Sequence, residues 1–230
     1  MRLTKLQLVQ KVLSAIDSDN VNSISDTVES EQVGLIVDTI YDDLIGDFPW
    51  PYLRTNGVLE VTTTAHVMKI PDTVLTLNDV YYNKEMITYI DPVEMTDVLF
   101  NRDTTESNID SNGAYTDRDP IYWTSYDDQN VTFDGYDTSL VSALSYTDYY
   151  RIPVPMSSDT DYPDLPARFH NIILYGAIAD AFYDLKGDAQ GFNIYNVRFK
   201  RYKAQLDRWA KRVNRQRATG YDVDFSRKNG

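Results

Sequence analysis

The sequence predicts an α+β fold in which a helical bundle is formed by the N- and C-terminal segments, with a central β-rich insertion and an extended C-terminal tail. Apolar residues recur at steps of three and four towards both ends of the chain, which is the period of one helix face. In the middle they alternate, as in a strand. Beyond Val213 the helical pattern stops. The predicted segments are 1–55 (N-terminal helices), 56–155 (β-rich insertion), 156–214 (C-terminal helices) and 215–230 (tail).

Two helices are expected in the N-terminal segment. The first has the apolar stripe Leu6, Val9, Leu13 and Ile16. Thr4, with Gln7 three residues later, fits a capping box at its start. The second begins near Asp26 and Glu29 and ends before Pro49, because proline lacks the amide donor that a helix needs. Its buried residues are expected to be Val33, Ile36, Val37, Ile40, Tyr41 and Leu44.

The insertion is expected to be built from strands, with one short helix among them. The predicted strands are 58–62, 66–70, 77–82, 85–90, 121–126, 130–133 and 145–152. Asn83 and Lys84 form a tight turn, and Asp91 followed by Pro92 starts the short helix. Residues 102–119 are polar and almost free of aliphatic side chains, so they are expected to form a long exposed loop.

The C-terminal helices begin at Pro166. The first runs to about Leu185 and closes at Gly187, and its apolar residues cover much of its circumference, which predicts the central buried helix. These residues are Phe169, Ile172, Ile173, Leu174, Ala177, Ile178, Ala181 and Phe182. The last helix carries a heptad seam, which is the pattern of a helix that packs along its whole length. The seam comprises Phe192, Tyr195, Phe199, Tyr202, Leu206, Trp209 and Val213.

Charge is distributed unevenly along the chain. Residues 198–230 contain eleven basic and three acidic residues, which leaves 11 basic and 32 acidic residues in the first 197. Such polarity indicates two surfaces for two kinds of partner. The basic end could bind nucleic acid through phosphate contacts, or it could dock on an acidic protein, with Tyr221, Val223 and Phe225 as contact residues of a tail that orders on binding.

No catalytic, cofactor or metal site is expected. His66 and His170 have neither another histidine nor a carboxylate at ligand spacing, so both are expected to be structural. Residues 108–119 resemble the start of a calcium loop, but Asp119 stands where such a loop needs glutamate, and a solvated turn is the preferred interpretation. The absence of cysteine excludes disulfides. No apolar run approaches the ~18 residues of a membrane span, which favours a soluble cytosolic protein.

The order of elements resembles a known family. The features that carry the resemblance are the N-terminal helix pair, the motif Phe48-Pro49-Trp50-Pro51-Tyr52-Leu53-Arg54, the β-rich insertion, the motif Asp164-Leu165-Pro166-Ala167-Arg168-Phe169-His170, the break Lys186-Gly187-Asp188-Ala189 and the long last helix. Together they resemble the head-to-tail connector proteins of short-tailed bacteriophages, also called adaptor, tail tubular protein A or gatekeeper proteins.

This resemblance implies a structural virion protein without enzymatic activity. Twelve copies would form a ring beneath the dodecameric portal protein, extend the DNA channel and offer a docking platform to the tail nozzle. Genomic DNA would pass through without specific binding, and assembly would take place in the host cytoplasm. The residues expected to bind the portal are Arg212, Arg215, Arg217, Tyr221 and Phe225. The alternative is a regulatory nucleic-acid-binding protein that uses the basic last helix and the tail.

Overall fold

The computed structural model of the protein describes residues 2–46, 50–137 and 145–220. The described chain is mixed α and β, with five α-helices and an eight-stranded sheet, which confirms the predicted combination of elements. It divides into two compact units. The helical unit comprises Met1–Tyr52 and Pro153–Gly230, and the sheet unit comprises Leu53–Ile152.

The bounds of the elements are as follows. The helices are α1 (Lys5–Ala15), α2 (Val28–Gly46), α3 (Pro92–Phe100), α4 (His170–Asp184) and α5 (Ala189–Gly220). The strands are β1 (Arg54–Val58), β2 (Glu60–Val61), β3 (Val67–Lys69), β4 (Val74–Tyr82), β5 (Glu85–Tyr89), β6 (Tyr122–Thr124), β7 (Asn130–Phe133) and β8 (Ser145–Arg151). Helix α3 belongs to the sheet unit and the other four helices to the helical unit.

Helix α1 begins as its sequence predicts. The Gln7 amide donates to Thr4 Oγ1 at 3.2 Å, and the Thr4 amide donates to Gln7 Oε1 at 3.1 Å, so the capping box is confirmed. The predicted stripe is only partly correct, because Leu6 is half-buried. Helix α1 and its C-cap bury Leu8, Val9, Val12, Leu13 and Ile16. The buried face is therefore wider than the predicted one and includes two further residues.

Helix α2 begins at Val28, after a 3-10 turn at Ile24–Asp26, and ends at Gly46. Its predicted buried residues Val33, Val37, Ile40, Tyr41 and Leu44 are buried, and Ile36 is half-buried. The predicted stop at Pro49 lies outside the described residues.

Helix α4 is the centre of the helical unit. It packs against α1, α2 and α5, and eight of its fifteen residues are buried. A Cβ atom on Gly176 would lie 2.9 Å from Ile40 of α2 and 3.1 Å from Phe199 of α5. Glycine at this position therefore lets both helices approach α4 closely. A 3-10 turn at Ala167–Phe169 precedes α4, and Gly187, with φ of +62°, follows it as predicted.

The strands form one sheet in the order β1-β8-β4-β5-β6-β7-β3-β2. All neighbours are antiparallel except β5 and β6, which are parallel. The two edge strands, β1 and β2, are separated in sequence only by Leu59, so the sheet nearly closes on itself. Its core consists of Leu59, Met68, Ile70, Val80, Tyr82, Ile87, Trp123, Val131 and Phe133.

The sequence predicted the strands well and their ends less well. The turn at Asn83 and Lys84 is confirmed, and both residues have positive φ, as a two-residue hairpin turn requires. Asp91 caps α3 as predicted, because its Oδ1 accepts the Val93 amide at 2.9 Å. The first predicted strand begins earlier, at Arg54, because β1 pairs with β8 along its whole length. His66 lies in the turn before β3.

The prediction that residues 102–119 form a long exposed loop is only partly correct, because the segment contains no helix or strand but is not exposed throughout. Ile109, Gly113 and Ala114 are buried, and Tyr115 bridges to both Ile109 and Gly135. A Cβ atom on Gly113, whose φ is +83°, would lie 2.1 Å from the Leu99 carbonyl oxygen, so only glycine fits there. This polar segment is held against the sheet by contacts with residues that are distant in sequence.

Asp134 is the residue that holds it. Its side chain is fully buried, and its Oδ1 accepts the amides of Ile121 and Tyr122 at 2.8 and 2.9 Å. Its Oδ2 accepts from Arg102 at 2.8 Å and from Arg118 at 3.3 Å. The ring of Tyr115 contacts both guanidinium groups, at 4.3 Å and 3.5 Å from its centre.

Candidate docking surface on the last helix

Helix α5 presents one apolar side to the protein and a basic side to solvent. Its 32 residues extend roughly 48 Å at 1.5 Å per residue. Between residues 198 and 217 there are nine basic residues and one acidic residue. The exposed basic residues are Arg198, Lys200, Arg201, Arg208, Lys211, Arg212 and Arg215. The basic face of this helix suits an anionic partner, either an acidic protein surface or a nucleic acid.

The predicted seam residues lie on the other side of α5. Leu206 is buried, and the remaining six are half-buried. The ring of Tyr195 stacks on Phe182 with 5.5 Å between centroids, and Tyr202 packs on Tyr175 at 5.2 Å. Phe192 contacts Tyr183 in the same manner at 5.5 Å. Phe199 packs against Gly176. Aromatic rings therefore fasten the first half of α5 to α4.

Trp209 is the contact that fixes the second half of the helix. Its ring lies 5.4 Å from that of Phe169 and 6.4 Å from that of Tyr52. The Arg168 guanidinium lies 4.8 Å from the Trp209 ring centre, which is within the range of a cation–π contact. Trp50, which stacks on Tyr52, donates from Nε1 to the Leu44 carbonyl at 2.9 Å.

This convergence was missed by the sequence analysis, although both motifs were recognised there. The tryptophan and tyrosine of the Pro-Trp-Pro-Tyr motif and the arginine and phenylalanine of the Ala-Arg-Phe motif contribute to one cluster around Trp209. The signal was the concentration of aromatic residues in the two motifs. It could not be interpreted without knowing that α5 passes between them.

The predicted start of the tail is wrong. Helix α5 continues to Gly220, so residues 215–220 are helical and not extended. Arg212 and Arg215 are exposed near its end, and Arg217 belongs to the same helix. Tyr221 and Phe225 lie outside the described residues. The residues predicted to bind the portal are thus split between the end of a helix and a segment that the structure does not describe.

The body that carries α5 is fastened by buried polar contacts. His170 accepts the Leu3 amide at Nδ1 (3.1 Å), and its Nε2–H donates to the Leu165 carbonyl (3.0 Å). Burial lowers the pKa of His170, although the bond to Leu165 acts in the opposite direction. Lys5 lies 2.7 Å from Asp38 Oδ2 and also donates to the Met156 carbonyl at 3.1 Å. The first residues of the chain are therefore joined to its C-terminal half.

His66 has a carboxylate neighbour that its sequence spacing did not reveal. Its Nδ1 lies 3.3 Å from Asp110 Oδ2, and burial lowers the pKa of His66 in spite of the nearby charge. Asp110 Oδ1 accepts the amides of Asn112 and Ala114, and Asp119 accepts from Asn83 at 3.1 Å. Asp110 and Asp119 of the calcium-like segment thus have different protein partners. Within residues 2–46, 50–137 and 145–220 no three acidic or histidine side chains are grouped as metal ligands.

The half-buried Asp180 of α4 lies near two exposed acids, Asp43 of α2 and Asp184 of α4. Burial raises the pKa of Asp180, and the nearby carboxylates of Asp184 and Asp43 raise it further. A groove of about 340 Å³ lies elsewhere in the unit, lined by Leu3 and residues of α1.

Among the helices of the described chain, none is long and apolar enough to cross a bilayer.

Comparison with known proteins identifies the family of this chain. No curated protein matches the sequence significantly. The model of the SU10 adaptor protein family matches residues 4–222. This range includes all five described α-helices and the whole sheet. That family consists of phage head-to-tail adaptors, so its members are structural components of the virion that associate with other head and tail proteins. The chain belongs to the SU10 adaptor protein family.

Proposed function

We propose that the protein forms a ring, of twelve copies as the resemblance implies, beneath the portal protein at the neck of a short-tailed phage. The ring extends the DNA channel and provides the platform on which the tail nozzle docks. Its role is mechanical: it transmits DNA during ejection and catalyses no reaction. The observation that carries this proposal is the family match over residues 4–222, which spans nearly the whole chain.

The helical unit is suited to be the body of such a ring. Three helices, α1, α2 and α5, pack around the buried helix α4, and the first residues of the described chain are fastened to its N-terminus. We propose that the segments 1–55 and 156–214 form the ring body and that the insertion 56–155 adds a separate surface. Contacts of this kind resist the force of a passing genome because they are buried and distributed over several helices.

The end of α5 is the proposed portal-binding segment. Arg212 and Arg215 are exposed, and the Trp209 cluster holds the helix within two turns before them. A rigid helix end loses little conformational entropy on docking, and its arginines form paired hydrogen bonds with carboxylates. Residues 216–230, including Arg217, Tyr221 and Phe225, would continue this contact on an acidic surface of the portal.

The acidic body fits a channel for DNA. The first 197 residues carry 32 acidic and 11 basic side chains. A surface of this charge repels phosphates, so DNA can slide past it without being held. The same charge argues against the alternative function in nucleic-acid regulation, because the acidic body repels the DNA phosphates that the basic helix attracts.

Binding to the purified portal protein tests the docking claim. A chain that stops after Arg215 should lose most of its affinity, because it lacks Arg217 and the tail. The double variant Arg212→Glu and Arg215→Glu should weaken binding by at least about tenfold, since each reversal places like charges together. Lys84→Glu makes the same type of change in the exposed β4–β5 turn and should leave binding unaltered.

The same proteins distinguish the two functions. If the alternative is correct, full-length protein retards duplex DNA in a strongly salt-dependent manner and deletion of residues 198–230 abolishes the effect. Portal binding that is undiminished by truncation after Arg215 contradicts the proposed docking segment.

A further inference from the structure

Two exposed helix faces of the helical unit have the same spacing and opposite charge. The acidic stripe on α2 comprises Val28, Glu31, Leu35, Thr39 and Asp42. The basic stripe on α5 comprises Ile194, Val197, Arg201, Gln205 and Arg208. In both, successive residues are three, four, four and three apart, and all ten are exposed. This spacing places each set on one face of its helix.

Both stripes expose apolar residues at their N-terminal ends. Val28 and Leu35 are 72 % and 67 % exposed, and Ile194 and Val197 are 50 % and 69 % exposed. A single exposed apolar residue needs no explanation, but a pair on one face beside charges of one sign is typical of a contact surface.

Within the part of the chain that the structure describes, the charges of the two stripes have no ionic partner. Other acids of α2 do: Asp38 pairs with Lys5 at 2.7 Å, and Glu29 pairs with Lys186 at 2.9 Å. Within the described residues, Glu31 and Asp42 form no ion pair, and neither do Arg201 and Arg208. The helical unit therefore neutralises Glu29 and Asp38 internally and leaves Glu31 and Asp42 of the stripe available.

The two stripes match when their helices run in the same direction. Val28 then faces Ile194, and Asp42 faces Arg208, fourteen residues further along each helix. Leu35 faces Arg201, whose aliphatic stem can cover it. The guanidinium of Arg201 can then reach Glu31, which lies one turn away, about 6 Å along the axis.

We propose that the acidic stripe of one copy of this chain binds the basic stripe of the next copy. Because the two surfaces differ, the contact is heterologous, and repeating it generates a ring or a filament. The proposal rests on the proposed ring and names the surfaces that close it. The proposed contact does not involve Arg212, Arg215 or the tail.

DNA and the portal are less suitable partners for the basic stripe. Phosphates offer no apolar contact to Ile194 and Val197, which begin the stripe, whereas α2 offers Val28 opposite Ile194. A portal contact would leave the acidic stripe of α2 unexplained. Only a second copy accounts for both surfaces at once.

Cysteine pairs test the contact directly, because the natural chain has no cysteine. Two singly substituted proteins, Asp42→Cys and Arg208→Cys, should form a disulfide-linked dimer when mixed and oxidised. The yield should exceed by about tenfold that of Asp42→Cys mixed with Lys200→Cys, since only contact raises the effective concentration of the two thiols. Lys200 is exposed on a different face of the same helix. Equal yields from the two mixtures would overturn the proposal.

Charge reversal provides a second measurement. Arg208→Glu should weaken self-association, measured by analytical ultracentrifugation of the full chain, by about tenfold or more. Adding Asp42→Arg to the same chain should restore it, because the pair is then reversed across every contact. Lys200→Glu should have no effect. Failure of the second substitution to restore association contradicts the pairing of Asp42 with Arg208.

The outcome is separable from that of the proposed function. Portal binding by protein that gives no specific Asp42–Arg208 crosslink, alone or with portal present, overturns the interface and retains the portal-docking function. A specific crosslink without portal binding supports the interface and contradicts that function. If Arg208→Glu abolishes binding to duplex DNA and leaves self-association unchanged, the basic stripe is a nucleic-acid surface and the inference is wrong.

Discussion

Single buried polar residues determine how several segments of this protein are held. Asp134 accepts from two arginines and two backbone amides, and all four donors belong to residues 102–122. A fully buried carboxylate is costly unless every such contact is present. Asp134 therefore acts as the common attachment point for a segment that has few apolar side chains of its own.

Replacing Asp134 with alanine should destabilise the sheet unit strongly. The change leaves Arg102 largely buried without its ionic partner, and the expected loss is about 3–5 kcal/mol of unfolding free energy. Urea unfolding followed by tryptophan fluorescence would measure it, because Trp123 is in the sheet core. Asp97→Ala, on the exposed face of α3, is the control and should change stability little. Equal effects of the two substitutions would show that Asp134 is not the attachment point.

The two histidines should make stability depend on pH. Burial lowers the pKa of both His66 and His170. As pH falls, the unfolded chain therefore binds protons at these histidines before the folded chain does. The contribution of the two neutral histidines to the free energy of unfolding is fully present above their unfolded pKa of about 6.5. It is lost as pH falls from there towards their lower pKa values in the folded protein. Thermal unfolding between pH 7.5 and about 5 would record the decrease.

Substitution separates the histidines from other titrating groups. His170→Gln should reduce the dependence of stability on pH in the helical unit, and His66→Gln should reduce it in the sheet unit. The stability contributed by carboxylates with lowered pKa values, such as Glu29 and Asp161, is lost only as pH falls below their ordinary pKa of about 4. These groups therefore do not cause a decrease between pH 6.5 and about 5. A stability that stays constant or rises between pH 6.5 and 5 contradicts this assignment.

At the scale of elements, the helical unit depends on close contacts with α4. Gly176 lies where Ile40 of α2 and Phe199 of α5 both approach this helix. Within a helix, alanine is normally favoured over glycine by about 1 kcal/mol. Here the contact distances are short enough to reverse that preference.

Gly176→Ala should therefore destabilise the protein by about 1–3 kcal/mol, the typical cost of overpacking. Chemical unfolding followed by circular dichroism at 222 nm would measure the change. Gly46→Ala is the matched control, because a Cβ atom there meets no other atom within 4 Å. Stabilisation by Gly176→Ala would show that the helices can separate at no cost.

Elements with a strong local pattern could be predicted from sequence, and those fixed by distant residues could not. The capping box of α1, the turn at Asn83 and the Asp91 cap are local, and each is confirmed. The structure of residues 102–119 depends on Asp134, which lies outside this segment, so no pattern within the segment predicts its contacts. The buried residues Leu8 and Val12 were missed because a single stripe cannot reveal that α1 is covered by both α2 and α4.

The candidate surface shows the same division. Periodicity and charge located the basic face of α5 and its aromatic side in sequence. The end of the helix was placed too early, because the loss of apolar residues after Val213 was interpreted as the loss of helix, although an exposed helix needs no apolar side. The meeting of Tyr52, Phe169 and Trp209 depends on three separate segments, so sequence spacing could not predict it.

For the whole molecule, the separation of charge connects the fold with assembly. In the proposed assembly, the acidic body, the basic last helix and the two complementary stripes would provide one chain with a surface for DNA to pass, a surface for its neighbours and an end for the portal. Each of these contacts is electrostatic in part, so assembly should be guided by charge and weakened by high salt.

Electron microscopy of the protein mixed with its purified portal tests the central claim most directly. The account predicts that full-length protein adds a ring to one face of the portal, coaxial with its channel, and that protein truncated after Arg215 does not. A portal that remains bare in the presence of full-length protein, or one that is decorated equally by the truncated chain, would contradict it.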